Sequence, residues 1–143
     1  MEELDRRKAV VHVHPTAANC CRNLDYGLGP GSWSHAGGSA PFLAGRIDGG
    51  SGAAKDRLPN GFIAEAKFFY DTAGSANRGA LASLLQLVTP TQIMFGTDFP
   101  PGGSSREVAE LLAGLRMFDA SAMRAIDREN AVKLLPRLKN SVT

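Results

Sequence analysis

The chain has 143 residues, of which 43% are hydrophobic and 21% charged, and its formal net charge is +2. This size and composition are typical of one globular domain, and the scattered basic residues argue against a nucleic-acid-binding surface. No apolar run approaches the roughly 20 residues of a membrane-spanning helix, and the charged start of the sequence is unlike a signal peptide.

The two cysteines, Cys20 and Cys21, are adjacent in the sequence. Neighbouring cysteines seldom pair with each other, and their spacing is not that of a CxxC motif. We therefore expect two reduced thiols and a cytoplasmic protein.

The first predicted element is a short buried strand over residues 9–14, which is rich in valine and ends in His14. Residues 15–34 contain many glycines and turn formers, so they are predicted to be irregular. An apolar segment over residues 40–47 predicts a short helix, and residues 48–53 predict a mobile Gly/Ser-rich loop.

The pattern becomes regular in the second half. Residues 66–70 predict a strand with Asp71 at its end, and Ser75 is the expected N-cap of a helix that Pro90 stops. A strand over residues 93–97 then leads to Asp98 and a Pro-Pro-Gly-Gly turn.

Two further helices complete the prediction. Ser104 and Glu107 fit a capping box for a helix that continues through Leu115. A last helical region is predicted over residues 121–135, ending at Pro136. The apolar face predicted for the capping-box helix comprises Val108, Leu111, Leu112 and Leu115.

Strands that alternate with helices predict βα units and a parallel sheet.

The candidate functional residues follow predicted strands. His14 and Asp98 lie at strand ends, and His35 lies beside the paired glycines Gly37 and Gly38. In parallel βα folds the carboxyl ends of the strands carry the site, so these side chains could converge.

Histidine and aspartate are ligands of zinc and related divalent ions, and histidine also moves protons near neutral pH. The positions therefore predict a metal or acid–base site. Simpler interpretations remain open at this point, because His14 could be a core residue and Asp71 could cap the turn that follows it. His12 precedes His14 by two residues, so the pair could mimic a metal-binding motif or simply face the core.

Taken together, five segments resemble the amidohydrolase superfamily, and in particular its aminocarboxymuconate-semialdehyde decarboxylase-like branch, also called amidohydrolase-related or amidohydrolase 2. The segments are Val-His-Pro (residues 13–15), Ser-His-Ala-Gly-Gly (34–38), Tyr-Asp-Thr-Ala (70–73), Phe-Gly-Thr-Asp-Phe-Pro (95–100) and Ala-Ile-Asp-Arg-Glu-Asn-Ala (125–131).

The resemblance implies a (β/α)8 TIM barrel with a divalent metal, zinc in the first instance, at the carboxyl end of the strands. It implies that His14 and Asp98 bind the metal, that Asp98 also handles a proton, and that His35 is an acid–base residue. It further implies a hydrolase or decarboxylase that acts on a small carboxylated compound.

The sequence also departs from the family pattern. The His-x-His pair of the first barrel strand is missing, the 20 residues between His14 and His35 are few for that family, and a full barrel needs about 250 residues. We therefore expect residues 1–143 to form one incomplete domain, an α/β partial TIM barrel that lacks the first strands and an internal segment. Two functional hypotheses follow: a truncated metal-dependent enzyme with a small-molecule substrate, or a non-catalytic remnant that forms homo-oligomers.

Overall fold

The computed structural model describes residues 3, 6–7, 9–13, 31–48 and 68–140. Within these ranges four parallel strands form one sheet in the order β1-β2-β3-β4. The strands are β1 (Val11–Val13), β2 (Gly31–Trp33), β3 (Phe69–Asp71) and β4 (Ile93–Met94). Each strand pairs with the next one along the chain, which confirms the predicted parallel sheet.

The helices of the described part are α1 (Ala40–Asp48), α2 (Arg78–Leu84), α3 (Ser105–Gly114), α4 (Ala120–Arg124) and α5 (Asn130–Leu134). A π-helical turn, Ala125–Glu129, joins α4 to α5. Short 3-10 turns cover His35–Gly37, Pro90–Gln92 and Pro136–Asn140. No helix in the described ranges is long and apolar enough to cross a bilayer.

The core lies between the sheet and the helices. Tyr70 and Ile93 contribute from the strands, and Leu81, Leu112 and Ile126 contribute from the helices, all almost fully buried. Trp33 packs beside Phe68 and Tyr70, with ring centroids 5.7 and 6.5 Å away. Apolar burial of this kind is the main favourable term in folding, so this core holds the helices against the sheet.

Buried Asn130 ties the last helical stretch to β4. Its Nδ2 donates hydrogen bonds to the carbonyl oxygens of Pro90, at 2.8 Å, and Ile93, at 2.7 Å. Because Asn130 satisfies two backbone acceptors at the start of β4, the polar side chain is tolerated in the core.

Several predicted elements agree with the structure. The helix over residues 40–47 is present as α1, although Asp48, expected in a loop, is its last residue. The capping box of Ser104 and Glu107 is also present at α3. The last helical region begins at Ala120, one residue before the prediction, with Asp119 as its N-cap.

Other expectations were wrong. Gly31–Trp33, predicted to be irregular, form β2, because two parallel neighbours complete the hydrogen bonding of a segment that lacks a clear apolar alternation. The N-cap of α2 is Asn77 instead of Ser75, since the Asn77 side chain accepts a hydrogen bond from the backbone N–H of Ala80. Leu111, expected on the apolar face of α3, is 59% exposed.

The strand predicted over residues 93–97 is also shorter than expected, because its backbone leaves the sheet after Met94. The N–H of Phe95 donates to the carbonyl of Ile126, at 2.9 Å, and the N–H of Gly96 donates to the Thr72 hydroxyl, at 3.0 Å. The loop expected after Asp48 lies outside the described residues.

Candidate functional site

The structure brings two of the three predicted site residues together. His35 begins the turn directly after β2, and Asp98 follows β4. His14 follows β1 in the sequence but lies outside the described residues, as does the side chain of His12. The described part of the site therefore consists of His35, Asp98 and the backbone around them.

Gly74 shows how close the two functional groups are. A Cβ atom placed on Gly74 would lie 3.2 Å from Nδ1 of His35 and 3.5 Å from Oδ2 of Asp98. The imidazole and the carboxylate therefore lie no further apart than the sum of those two distances. A single small group, such as part of a substrate, can contact both.

The tautomer of the neutral His35 ring is set by a backbone partner. Its Nδ1 lies 2.8 Å from the carbonyl oxygen of Ala73. A carbonyl only accepts hydrogen bonds, so Nδ1 carries the proton and Nε2 of the neutral ring carries the lone pair. Nε2 is therefore the atom of His35 that can accept, hold or return a proton.

The backbone of Asp98 is strained, and a tight turn follows it. Its φ of 59° lies in the left-handed region, which aspartate tolerates better than most residues. The N–H of Gly102 donates to the Asp98 carbonyl at 2.7 Å. A Cβ on Gly102 would overlap the Thr97 carbonyl oxygen, so this turn requires glycine at position 102.

Thr72 connects the ends of β3 and β4. Its fully buried hydroxyl donates to the carbonyl of Gly96 and accepts from the N–H of the same residue, both at 3.0 Å. The backbone N–H of Thr72 also donates to the carbonyl of Met94. These bonds fix the path of the chain two residues before Asp98.

His35 lies in an unusual turn. His35 and Ala36 have φ values of 55° and 53°, and Gly37 and Gly38 also have positive φ. A left-handed conformation costs about 1–2 kcal/mol for each residue with a Cβ, so other contacts must hold the turn. Gly37 is needed for a second reason, because a Cβ there would lie 3.0 Å from the ring of Tyr70.

Asp71 lies at the centre of those contacts. Its Oδ1 accepts hydrogen bonds from the N–H of His35 at 2.9 Å, from the N–H of Ala73 at 3.1 Å and from the hydroxyl of Ser34 at 3.3 Å. The bond to Ala73 agrees with the turn-capping interpretation of Asp71. The bonds to Ser34 and His35 show that Asp71 also holds the turn that carries His35.

The donor chemistry of this site suits a divalent metal only in part. The Asp98 carboxylate is a ligand type for manganese, magnesium or zinc, and the imidazole of His14 would be a ligand type for zinc. Within the described ranges no cluster of three or more histidine, cysteine, aspartate or glutamate side chains could hold a metal. A complete ligand set therefore needs groups from outside those ranges.

The sequence-based reasoning did not identify the contributions of Thr72 and Gly74. The motif Tyr-Asp-Thr-Ala (residues 70–73) was the available signal. Its polar pair, Asp71 and Thr72, stands at the end of a buried strand, where parallel α/β folds carry their sites. The motif could not reveal the hydrogen bonds between Thr72 and Gly96. Nor could it reveal that Gly74 lies next to both His35 and Asp98.

Fold and site together define a parallel α/β protein with a histidine and an aspartate close together after the carboxyl ends of its strands. A sequence model of the family described as Amidohydrolase matches residues 51–137, which is more than half of the chain. The chain therefore belongs to the amidohydrolase family.

Among curated proteins, a 6-methylsalicylic acid decarboxylase from Aspergillus aculeatus is 32% identical over 183 residues, covering 97% of this chain and 54% of that protein. A decarboxylase from Aspergillus niger is 28% identical, covering 96% of this chain and 49% of its own length. The chain thus spans about half the length of the curated relatives it matches.

Solved structures share the fold. An amidohydrolase II superposes with a TM-score of 0.71 at 24% identity, covering 94% of this chain and 54% of that one. A dihydroxybenzoic acid decarboxylase from Polaromonas sp. JS666, solved with bound manganese and the inhibitor 2-nitroresorcinol, superposes with a TM-score of 0.60 at 19% identity, covering 78% and 34%. These neighbours are TIM-barrel enzymes, which supports the predicted α/β fold class.

Proposed function

We propose that this chain carries part of the active site of a metal-dependent decarboxylase for hydroxylated aromatic carboxylic acids of the salicylic acid type. The observation that carries the proposal is the closeness of His35 and Asp98, which both lie within 3.5 Å of the Cβ position on Gly74. The names of the relatives supply the substrate class, since one of them is a 6-methylsalicylic acid decarboxylase.

The proposed reaction needs a proton and no oxidant. A proton is added to the ring carbon that bears the carboxylate, the carbon–carboxylate bond breaks, and its electron pair restores the aromatic ring as carbon dioxide leaves. His35 can hold and deliver that proton through Nε2, because its Nδ1 is committed to Ala73. Asp98 is placed to accept or return a proton at the same small group.

We propose His14 and Asp98 as ligands of a divalent metal. When bound, such an ion would neutralise the carboxylate and phenolate oxygens of the substrate and orient its ring. Zinc was the expectation from the resemblance, whereas manganese is the ion found in one solved neighbour. The chemistry of one carboxylate and one imidazole is compatible with either metal.

The finer structural assignment is also a proposal. We assign residues 1–143 to a single incomplete domain from the later part of a TIM barrel, with an internal segment missing. In support, the alignment with the Aspergillus aculeatus decarboxylase spans 183 residues although this chain has 143, so the relative has residues without a counterpart here. A cytoplasmic location and a homo-oligomeric state belong to the same proposal.

A non-catalytic chain is the second candidate, and one observation favours it. In the part of the chain that the structure describes, no group of three metal-binding side chains is present. Such a chain would keep the family fold and could act as an oligomerising partner without turning over a substrate.

The decisive experiment incubates the purified chain with 6-methylsalicylate and either manganese or zinc, and measures 3-methylphenol and carbon dioxide. We expect product from the native chain and a loss of at least about 100-fold in D98N and in H35Q, the size typical of losing an acid–base group. The matched control is D127N, because Asp127 is an exposed carboxylate on the π-helical turn, and it should retain native activity.

Equal product from the native chain and D98N would contradict the assigned site. No product from a folded native chain loaded with either metal would contradict the decarboxylase proposal and favour the non-catalytic candidate.

A further inference from the structure

The turn that carries His35 needs an external partner. His35 and Ala36 both have positive φ, a conformation that residues with a Cβ rarely adopt. Two backbone hydrogen bonds close the turn, from the N–H of Gly37 to the carbonyl of Ser34 and from the N–H of Gly38 to the carbonyl of His35. Neither of them binds the N–H of His35 itself.

The Asp71 carboxylate supplies that partner. One oxygen, Oδ1, accepts from the N–H of His35 at 2.9 Å and from the Ser34 hydroxyl at 3.3 Å. Asp71 is the last residue of β3, which pairs with β2 directly before the turn. The Asp71 carboxylate therefore lies next to the backbone N–H of His35. Hydrogen bonds to a carboxylate are stronger than bonds between neutral groups.

The same oxygen also orients the partner of the His35 ring. Oδ1 accepts from the N–H of Ala73 at 3.1 Å, and the carbonyl of Ala73 faces Nδ1 of His35 at 2.8 Å. The Asp71 carboxylate thus binds the backbone of both residues, His35 and Ala73, that form the ring–carbonyl hydrogen bond. Moving either backbone segment would break the contact that keeps the proton on Nδ1.

We propose that Asp71 is a positioning residue that fixes His35 as the Nδ1–H tautomer and so leaves the lone pair of the neutral ring on Nε2. Asp71 acts through the backbones of His35 and Ala73 and does not itself touch the substrate. The effect on catalysis rests on the proposed function, whereas the effect on the tautomer does not.

The test is nitrogen NMR of the histidine rings in the full chain, with H35Q identifying the His35 signals. We expect native His35 to be Nδ1–H when neutral, D71A to shift the population toward Nε2–H, and D71N to lie between them because its amide oxygen still accepts hydrogen bonds. D71N is the conservative variant and keeps the proposal testable if D71A does not fold.

The matched control is D119A. Asp119 also accepts a hydrogen bond from a backbone N–H, that of Ala122, at the N-terminus of α4. D119A should lower stability but leave the His35 tautomer unchanged. An unchanged tautomer in folded D71A, or in folded D71N where D71A does not fold, would overturn the inference, as would an equal change in D119A.

Activity measurements separate this inference from the proposed function. If the native chain makes product, we expect D71N to lower kcat more than it raises KM, because the substrate contacts stay and proton transfer suffers. If the native chain makes no product but D71A shifts the tautomer, the proposed function fails and the role of Asp71 stands. If product forms and the tautomer does not respond to Asp71, the role of Asp71 fails and the proposed function stands.

Discussion

At the scale of single residues, the site depends on positions where no side chain fits. A Cβ on Gly74, whose φ is 56°, would lie 3.2 Å from Nδ1 of His35 and 3.5 Å from Oδ2 of Asp98, so a larger residue would meet both a steric and a conformational penalty. Gly102 is restricted sterically, because a Cβ there would overlap the carbonyl oxygen of Thr97. Glycine at position 74 thus keeps open the space next to the imidazole and the carboxylate.

We predict that G74A lowers the free energy of unfolding by about 1–2 kcal/mol, because a Cβ in the left-handed region is strained, and abolishes any activity by pushing His35 and Asp98 apart. Chemical denaturation and product formation measure the two effects. The control is G45A, because Gly45 is in α1 and a Cβ there meets no atom within 4 Å. G45A should be neutral or slightly stabilising, and a G74A variant as stable and active as native would contradict the assignment.

Thr72 gives a second prediction at this scale. T72V keeps the side-chain volume but removes both hydrogen bonds with Gly96, leaving two half-buried backbone groups without that partner. We expect T72V to lower the free energy of unfolding by about 1–3 kcal/mol. T72S retains the hydroxyl and serves as the control, and it should lose less than T72V. Equal losses in thermal or chemical denaturation would show that the hydroxyl does not matter.

At the scale of elements, helix α3 depends on its N-terminal capping box. Ser104 and Glu107 exchange hydrogen bonds between side chain and backbone in both directions. The Ser104 hydroxyl first, and its backbone N–H second, favour the charged form of Glu107 and lower its pKa from the ordinary value of 4.5. The carboxylate therefore contributes stability when ionised.

The sign of the pH dependence follows from that lowered pKa. The contribution of Glu107 is fully present above pH 4.5 and is lost as the pH falls through the lowered pKa of the folded state. We predict that the stability difference between the native chain and E107Q, measured by urea denaturation across this range, shrinks as the pH falls. E110Q removes a carboxylate from the same helix and controls for net charge. A native–E107Q difference that does not shrink beyond the change seen with E110Q would contradict the capping role.

Element types were easier to predict than element ends. The capping box could be predicted because it follows from a local residue pair. The parallel sheet could be predicted because strands alternate with helices along the chain. The end of β4 could not be predicted, because the N–H of Phe95 donates to the carbonyl of Ile126, a residue that is close to it only in the folded chain. The cap of α2 was misplaced because serine and asparagine are both good caps, and only the fold selects Asn77.

At the scale of the whole molecule, the sequence motifs indicated the family, and the family match over residues 51–137 confirms it. The strand-end location of the site stays a prediction. The sequence could not reveal the Asp71 network, because two of its three hydrogen-bond donors, Ser34 and His35, follow β2 and are far from Asp71 in the sequence. His14 remains a predicted ligand, since it lies outside the described residues. The central claim is that this chain assembles a metal site from Asp98 and groups near it.

The most direct test of that claim is a manganese titration of the purified, chelator-treated chain, followed by the EPR signal of the free ion. The account predicts about one bound manganese per chain, lost in D98N and retained in D127N. No binding by a folded native chain, or equal binding by D98N, would contradict it.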